Sequence, residues 1–221
     1  MNEAGEGTVQ DRTLTLKLFM RHLAHELGNP VASIRMSAEM LVGDFPPEMH
    51  RELFQIILSE SQRLESLIES AVYFASINTV NPGETEIAAL MDSVIRQNSI
   101  TVPVQIQNAT GLDVLQGDAS QLVRLFREIF QNATQAGASR IGVTLQKEEE
   151  GIVVTVEDDG TGVAEEKLPL LFNPFYTSRD GQLGLGLNIA QRIVQLHHGT
   201  IDIASTSANS VKVTIRLPQS F

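Results

Sequence analysis

The hydrophobic residues of this chain change their spacing part-way along, and that change restricts it to two different architectures joined in series. From Leu14 to Val42 apolar residues recur at Leu16, Phe19, Leu23, Leu27, Val31, Ile34, Ala38 and Leu41, the period of one helix face. "GDFPP" (43–47) stops this helix, with Gly43 as its C-cap and two prolines beyond. A second helix is predicted from Pro47 to Ile77, with Leu53, Ile56, Ile57, Leu64, Leu67, Ile68, Ala71 and Phe74 on its apolar face. Two such helices joined by a short turn make an antiparallel hairpin about 45 Å long. A hairpin alone cannot bury a two-sided apolar face, and pairing with a second copy into a four-helix bundle does so. A homodimer through the hairpin is therefore expected.

"NTVNPGE" (78–84) has the composition of a linker. Beyond it strands and helices alternate. "VPVQIQN" and "DVLQG" read as strands, and Asp118 caps a helix from Ser120 to about Ala136. "RIGVTLQKE" and "GIVVTVEDD" form a hairpin, "LNIAQRIVQLH" a helix, and "TIDIAST" with "SVKVTIRLP" a closing strand pair. The fold class expected is thus α + α/β, a helical-hairpin domain followed by an α/β sandwich of ordinary domain size. Residues 1–12 are polar and read as a flexible tail. The net charge of −11 with scattered basic residues argues against nucleic acid as a partner. The chain contains no cysteine, which excludes disulfides and thiolate zinc sites. It also shows no apolar run of the ~18 residues that span a bilayer, so a cytoplasmic protein is expected.

Within the first helix lies "HELGNP" (25–30). His25 and Asn29 are spaced i, i+4 and Glu26 and Asn29 i, i+3, which gathers the three groups on one side. Pro30 has no N–H for the carbonyl of residue 26 and is expected to bend the helix below His25. A histidine is mostly neutral near pH 7, so one ring nitrogen is a nucleophile, and Glu26 can hold or accept the proton of the other. His22 lacks the acid and amide that follow His25 and is assigned to the surface.

Three further segments follow in order. "FREIFQNATQAGA" (126–138) puts Glu128 and Asn132 on one helix face, two oxygen ligands suited to Mg²⁺. "EDDGTGV" (157–163) follows a strand, with Asp158 able to accept an amino proton and Gly160 and Gly162 permitting close approach of a ligand. "GLGLNIA" (184–190) leads Gly184 and Gly186 into a helix N-terminus, a phosphate site by its dipole and free N–H groups.

The ordered set resembles the two-component histidine kinases: an H-box "HELGNP", an N-box "EIFQNA", a G1-type "DDGTG", an F-box-like "LFNPFYTS" and a G2-type "GLGL". The resemblance covers the chain from about residue 14. It implies a dimerisation and histidine phosphotransfer domain over 13–78 and a linker over 79–86. It further implies a catalytic ATP-binding domain of the GHKL type over 87–221, with ATP and Mg²⁺ as cofactors. Carried over, His25 resembles the phosphoacceptor and Glu26 its base. Glu26 and Asn29 resemble the E-x-x-N apparatus that dephosphorylates a response regulator. Asn132 corresponds to the Mg²⁺ ligand, with Glu128 beside it. Asp158 corresponds to the partner of the adenine amino group, and Gly160, Gly162, Gly184, Leu185 and Gly186 to the nucleotide-facing loops. Phe172, Phe175 and Tyr176 are expected to anchor the ATP lid by packing, and Thr177 and Arg179 to fall near the phosphates. The partner implied is a response regulator receiver domain, with the signal arriving from a missing segment or a separate sensor.

The chain departs from that pattern in three places. Glu128 stands where most of these kinases have asparagine, as in gyrase- and MutL-type ATPases. The lid between Tyr176 and Gly184 is short. Ser210-Val211 replaces a Gly-Thr near the C-terminus, removing a hydroxyl that could support adenine. Two alternatives stay open on these residues: a histidine phosphotransferase or scaffold that no longer binds ATP, and a GHKL ATPase without phosphotransfer.

Overall fold

The computed structural model describes residues 3–97, 100–108, 114–177, 182–207 and 210–220, with side chains from Phe19 onward except that of Ser207. It divides into two compact units, Met1–Ser76 with Phe175–Leu185, and Ile77–Pro174 with Gly186–Phe221.

The first unit is built on α1 (Glu3–Met40) and α2 (Pro47–Ser76), which pack along each other as the expected hairpin. Helix α1 starts at Glu3, where a flexible tail to residue 12 was expected. No proline precedes Pro30, and extending an existing helix needs no new nucleus. The helix continues through Pro30 to Met40. At its end Gly43 N–H donates to Met40 O at 3.0 Å. A Cβ on Gly43 would lie 2.5 Å from the Phe45 ring, so the turn requires glycine by packing. Phe19, Leu53, Leu67 and Ala71 are buried between the helices. Met20, Val31, Met36, Phe54, Leu58, Ile68 and Val72 are each at least 50% exposed, so much of the apolar face is unburied by the hairpin itself.

The second unit begins with β1 (Gly83–Glu86) and α3 (Ile87–Gln97), followed by β2 (Val104–Asn108), β3 (Val114–Gly117) and α4 (Ala119–Gln135). Then come β4 (Ile141–Glu148), β5 (Gly151–Asp158), a 3-10 turn (Glu165–Leu170), α5 (Gly186–Leu196), β6 (Thr200–Ser207) and β7 (Ser210–Pro218). The main sheet has the order β2-β4-β5-β7-β6, with β2 parallel to β4 and the other pairs antiparallel. Alternate residues Ile141, Val143 and Leu145 of β4 and Val213, Ile215 and Leu217 of β7 are buried. Opposing them in the core are the apolar stripes of the helices: Leu122, Leu125, Phe126, Ile129 and Phe130 of α4, and Ile189, Ala190, Ile193 and Val194 of α5.

The stretch expected to be a linker is partly structured. Gly83–Glu86 pairs antiparallel with Val114–Gly117. Upstream of β1, Asn81 N–H donates to Asp118 Oδ2 at 3.1 Å and Gln121 Nε2 donates to Thr79 O at 2.5 Å. These partners lie some 40 residues away in sequence, which is why composition alone marked the segment as free. Asp118 is the expected cap of α4, its Oδ1 accepting from the N–H groups of Ser120 and Gln121 at 3.0 and 3.2 Å. Burial pushes the Asp118 carboxyl up, but the Ser120 hydroxyl and the amides of Asn81, Gln121 and Ser120 outweigh it and hold it below its ordinary value. The Asp118 N–H in turn donates to Nε2 of buried His197 at 3.0 Å, while His197 Nδ1 donates to Ile193 O at 2.8 Å. Both ring nitrogens are committed and burial lowers the imidazole pKa, so His197 is a neutral structural tie between the end of α5 and the start of α4.

Candidate functional site

His25 projects from α1 with its side chain 71% exposed, whereas Glu26 beside it is buried. The three groups expected on one side of the helix differ in burial. His25 and Asn29 are exposed, and Glu26 turns inward. Its Oε1 lies 3.3 Å from His25 Nδ1, and its Oε2 lies 3.8 Å from a guanidinium nitrogen of Arg63 on α2. Arg63 is itself braced by Glu60 at 3.3 Å. A carboxylate so held can accept a hydrogen bond from Nδ1–H, and in that tautomer the Nε2 lone pair is the nucleophile on an exposed ring. Nothing in the local sequence signals Arg63, because the pairing depends on how the two helices meet.

His22 is not the surface residue expected. Its ring centroid is 5.5 Å from that of Phe175, and its Nε2 is buried with no hydrogen-bond partner among the described residues. Phe175 also meets Phe19 in a tilted pair with centroids 5.6 Å apart, and Phe19 stacks on Phe74 at 5.7 Å. Phe175 holds a left-handed φ of 70°, and its N–H donates to Gly184 O at 3.1 Å, drawing together the two ends of the lid. Gly184 has φ +62°, and a Cβ there would fall 2.6 Å from Tyr176 O, so closure requires glycine. Leu185 is buried at 2% exposure, which leaves only its main chain for a ligand. Thr177 is half-buried in the same unit, and Arg179 lies outside the described residues.

The second unit brings Glu128, Asn132, Asp158, Gly160, Gly162 and Gly186 into one region. The α4 C-terminus meets the glycine loop where Thr161 N–H donates to Ala136 O at 2.9 Å. A Cβ on Gly160 would lie 2.8 Å from Ala136 Cβ, so the loop lies against the helix only because residue 160 has no side chain. Asp158 Oδ1 accepts from Gly160 N–H at 3.0 Å, which fixes the carboxylate over the loop. Ser210 Oγ donates to Asp158 O at 2.9 Å and accepts from Thr206 Oγ1 at 3.0 Å. The Ser210 hydroxyl is thus committed to the main chain that carries Asp158.

At the other end of the region, a Cβ on Gly186 would lie 2.6 Å from Glu128 Oε2 and 4.0 Å from Asn132 Nδ2. The first residue of α5 therefore abuts both polar side chains of α4. Asn132 Nδ2 is buried without a hydrogen-bond partner among the described residues, a donor that a phosphate oxygen would satisfy. Glu128 is nearly buried and ion-paired at 2.5 Å with Arg124 Nε. Burial raises its carboxyl above the ordinary value, against the lowering effect of Arg124 and Arg127. Among the described residues no group of three or more His, Asp or Glu is placed to hold a metal. The oxygens of Asn132 and Glu128 suit Mg²⁺ that is shared with phosphates, the usual manner of binding this ion. The orphaned Asn132 donor beside the first residue of α5 fits a phosphate group with its cation.

Comparison with known proteins identifies both parts of the chain. Residues 15–79 match the family model "His Kinase A (phospho-acceptor) domain", and residues 117–220 match "Histidine kinase-, DNA gyrase B-, and HSP90-like ATPase". The chain belongs to the two-component histidine kinases. Its ATP-binding domain is accordingly of the GHKL type. This kinase core is 36% identical over 200 residues to sensor protein BasS of Escherichia coli, covering 83% of this chain and 53% of BasS. It is 26% identical over 204 residues to sporulation kinase E of Bacillus subtilis, covering 89% of this chain and 28% of that kinase. The chain thus spans about half or less of these relatives' length. The fold is shared with histidine kinase ThkA, solved in complex with response regulator protein TrrA, at a TM-score of 0.79 and 21% identity. That match covers 95% of this chain and 64% of the ThkA chain. Histidine kinase AdeS of Acinetobacter baumannii matches with a TM-score of 0.66 and 17% identity, over 88% of this chain and 98% of the solved AdeS chain. No described helix of the core is long and apolar enough to cross a membrane.

Proposed function

We propose that this kinase core moves the γ-phosphoryl group of ATP to Nε2 of His25 and then to an aspartate of a response regulator receiver domain, in the cytoplasm. The observation that carries this reading is an exposed imidazole whose Nδ1 faces a buried, anchored carboxylate. As the Nε2–P bond forms and the bond to the leaving ADP oxygen breaks, the ring gains positive charge, and Glu26 offsets it while holding the Nδ1 proton. Asp158 recognises the adenine amino group, and the glycine loops and Asn132 receive the phosphates. Asn132 with Glu128 would hold Mg²⁺, which would supply charge neutralisation. Two copies pair through the exposed apolar residues of α1 and α2, which a monomer leaves in water.

Asn29, one turn from His25 and exposed, is the group that orients water for dephosphorylation of the regulator, so the core also acts as its phosphatase. The deciding experiment is incubation with γ-labelled ATP followed by acid and base treatment. Label that is lost in acid and survives base, absent from His25→Gln and retained in His22→Gln, is expected. Label retained in His25→Gln sinks the assignment. A second reading, ATP hydrolysis without phosphotransfer, is favoured by buried Glu128 and its raised carboxyl pKa. Phosphate release in a His25→Gln background that falls on Glu128→Gln would support it.

A further inference from the structure

Where most of these kinases carry a neutral asparagine, this chain carries a carboxylate facing the first residue of α5. That helix start is the phosphate end of the site proposed above, and the present inference rests on that reading. An isolated carboxylate there repels a polyphosphate, and taking a lone charge out of water is costly in itself. Glu128 is not alone. Arg124, one turn earlier on α4, lies 2.5 Å from Glu128 Oε1, and the two side chains are only 13% and 12% exposed. Arg127 adds a second positive charge on the same helix. Glu128 Oε1 is thus committed to the guanidinium while Oε2 faces Gly186.

We propose that Arg124 is the charge-compensating residue of the nucleotide site, cancelling Glu128 so that the pair presents the triphosphate with the net charge of the amide it replaces. The pair is an acid and its counter-ion carried by one helix at i, i+4, so they reach the site together. Arg124 need not touch the nucleotide to do this. Its effect is on the phosphates and not on the base or the ribose.

The test measures binding of fluorescent ATP and of fluorescent adenosine to the full chain, in the absence of Mg²⁺ and in its presence. Arg124→Gln is expected to weaken ATP by about tenfold or more, with adenosine unchanged, since only the triphosphate meets the carboxylate left without its counter-charge. Arg124→Lys restores ATP because it restores the charge. Arg124→Gln combined with Glu128→Gln returns ATP affinity in the absence of Mg²⁺ to within about threefold of the parent, because a neutral pair replaces a neutral pair. Glu128→Gln alone removes the negative charge and keeps the guanidinium, and tightens ATP relative to adenosine without Mg²⁺. This single variant and the double variant decide the matter even where Arg124→Gln alone does not fold. Equal loss of ATP and adenosine, additive losses in the double variant, or no tightening in Glu128→Gln each overturns the proposal. A parent chain that binds adenosine and ATP at no concentration overturns the nucleotide site itself, an outcome distinct from failed compensation.

Discussion

Replacing Glu26 by glutamine keeps the side chain's shape and its hydrogen-bond acceptor but removes its charge, so it isolates the electrostatic part of the role assigned to it. The relevant separation is 3.3 Å between Glu26 Oε1 and His25 Nδ1. A unit charge appearing on the ring at that distance gains ~1.3 kcal/mol from the carboxylate at the dielectric of water and ~5 kcal/mol at an effective value of 20. His25 is 71% exposed, and the lower part of that range applies to so wet a group. Arg63, 3.8 Å from the other oxygen, draws part of the field toward itself and reduces the gain further. A loss of about 1–2.5 kcal/mol remains, which is about five- to seventyfold in the rate of phosphohistidine formation. The assay is the initial rate of acid-labile label incorporation at saturating ATP and Mg²⁺, with nucleotide affinity measured in parallel. Affinity should be unchanged, because Glu26 belongs to the hairpin unit and not to the ATP-binding domain. A rate within threefold of the parent, or a loss accounted for by weaker ATP binding, refutes the role of Glu26 as the partner of the phosphorylated ring.

Three other expectations follow from the same structure. Asp158→Asn retains an acceptor for Gly160 N–H but removes the charge on which the proposed bond to the adenine amino group rests. It should weaken ATP by about 1.5–3 kcal/mol and GTP little, and equal losses in a competition titration leave Asp158 a structural part only. Asn29→Ala should abolish dephosphorylation of the regulator and preserve autophosphorylation, both followed by label on the two proteins; parallel loss of both reassigns Asn29 to the kinase step or to the helix. Asp118→Ala removes the cap of α4 and the anchor of Asn81 and should cost about 2–3 kcal/mol in urea unfolding, with Asp118→Asn costing less than half of that. Because the folded carboxyl is held below its ordinary value, its stabilisation is complete above the unfolded value and is lost as pH falls through the lower folded one. The alanine variant should accordingly lose less stability than the parent on acidification through that window.

What could be read from the residues in advance was whatever is local in the chain. The hairpin follows from an i, i+3, i+4 apolar pattern sustained over two long segments, and the cap of α4 from one aspartate before a periodic run. The same local rule would have found α3, whose Ile87, Leu90, Met91 and Val94 are all buried, had the pattern been followed into so short a segment. Glycines 160 and 184 could be marked as sites of close approach, although what approaches them, Ala136 in one case and Tyr176 in the other, could not. What remained hidden was every group whose partner arrives from another element: Arg63 behind Glu26, His197 under Asp118, Ser210 beneath the Asp158 carbonyl. Long-range contacts of this kind leave no periodicity, since each needs only one polar residue at one register of a strand or helix. Arg124 differs from these. It stands four residues from Glu128 on the same helix and was available to any reading that asked how a buried carboxylate is compensated. A departure from a family's pattern at one position is thus best read with the helix face around it, because the charge that makes the departure tolerable has to lie within reach of it.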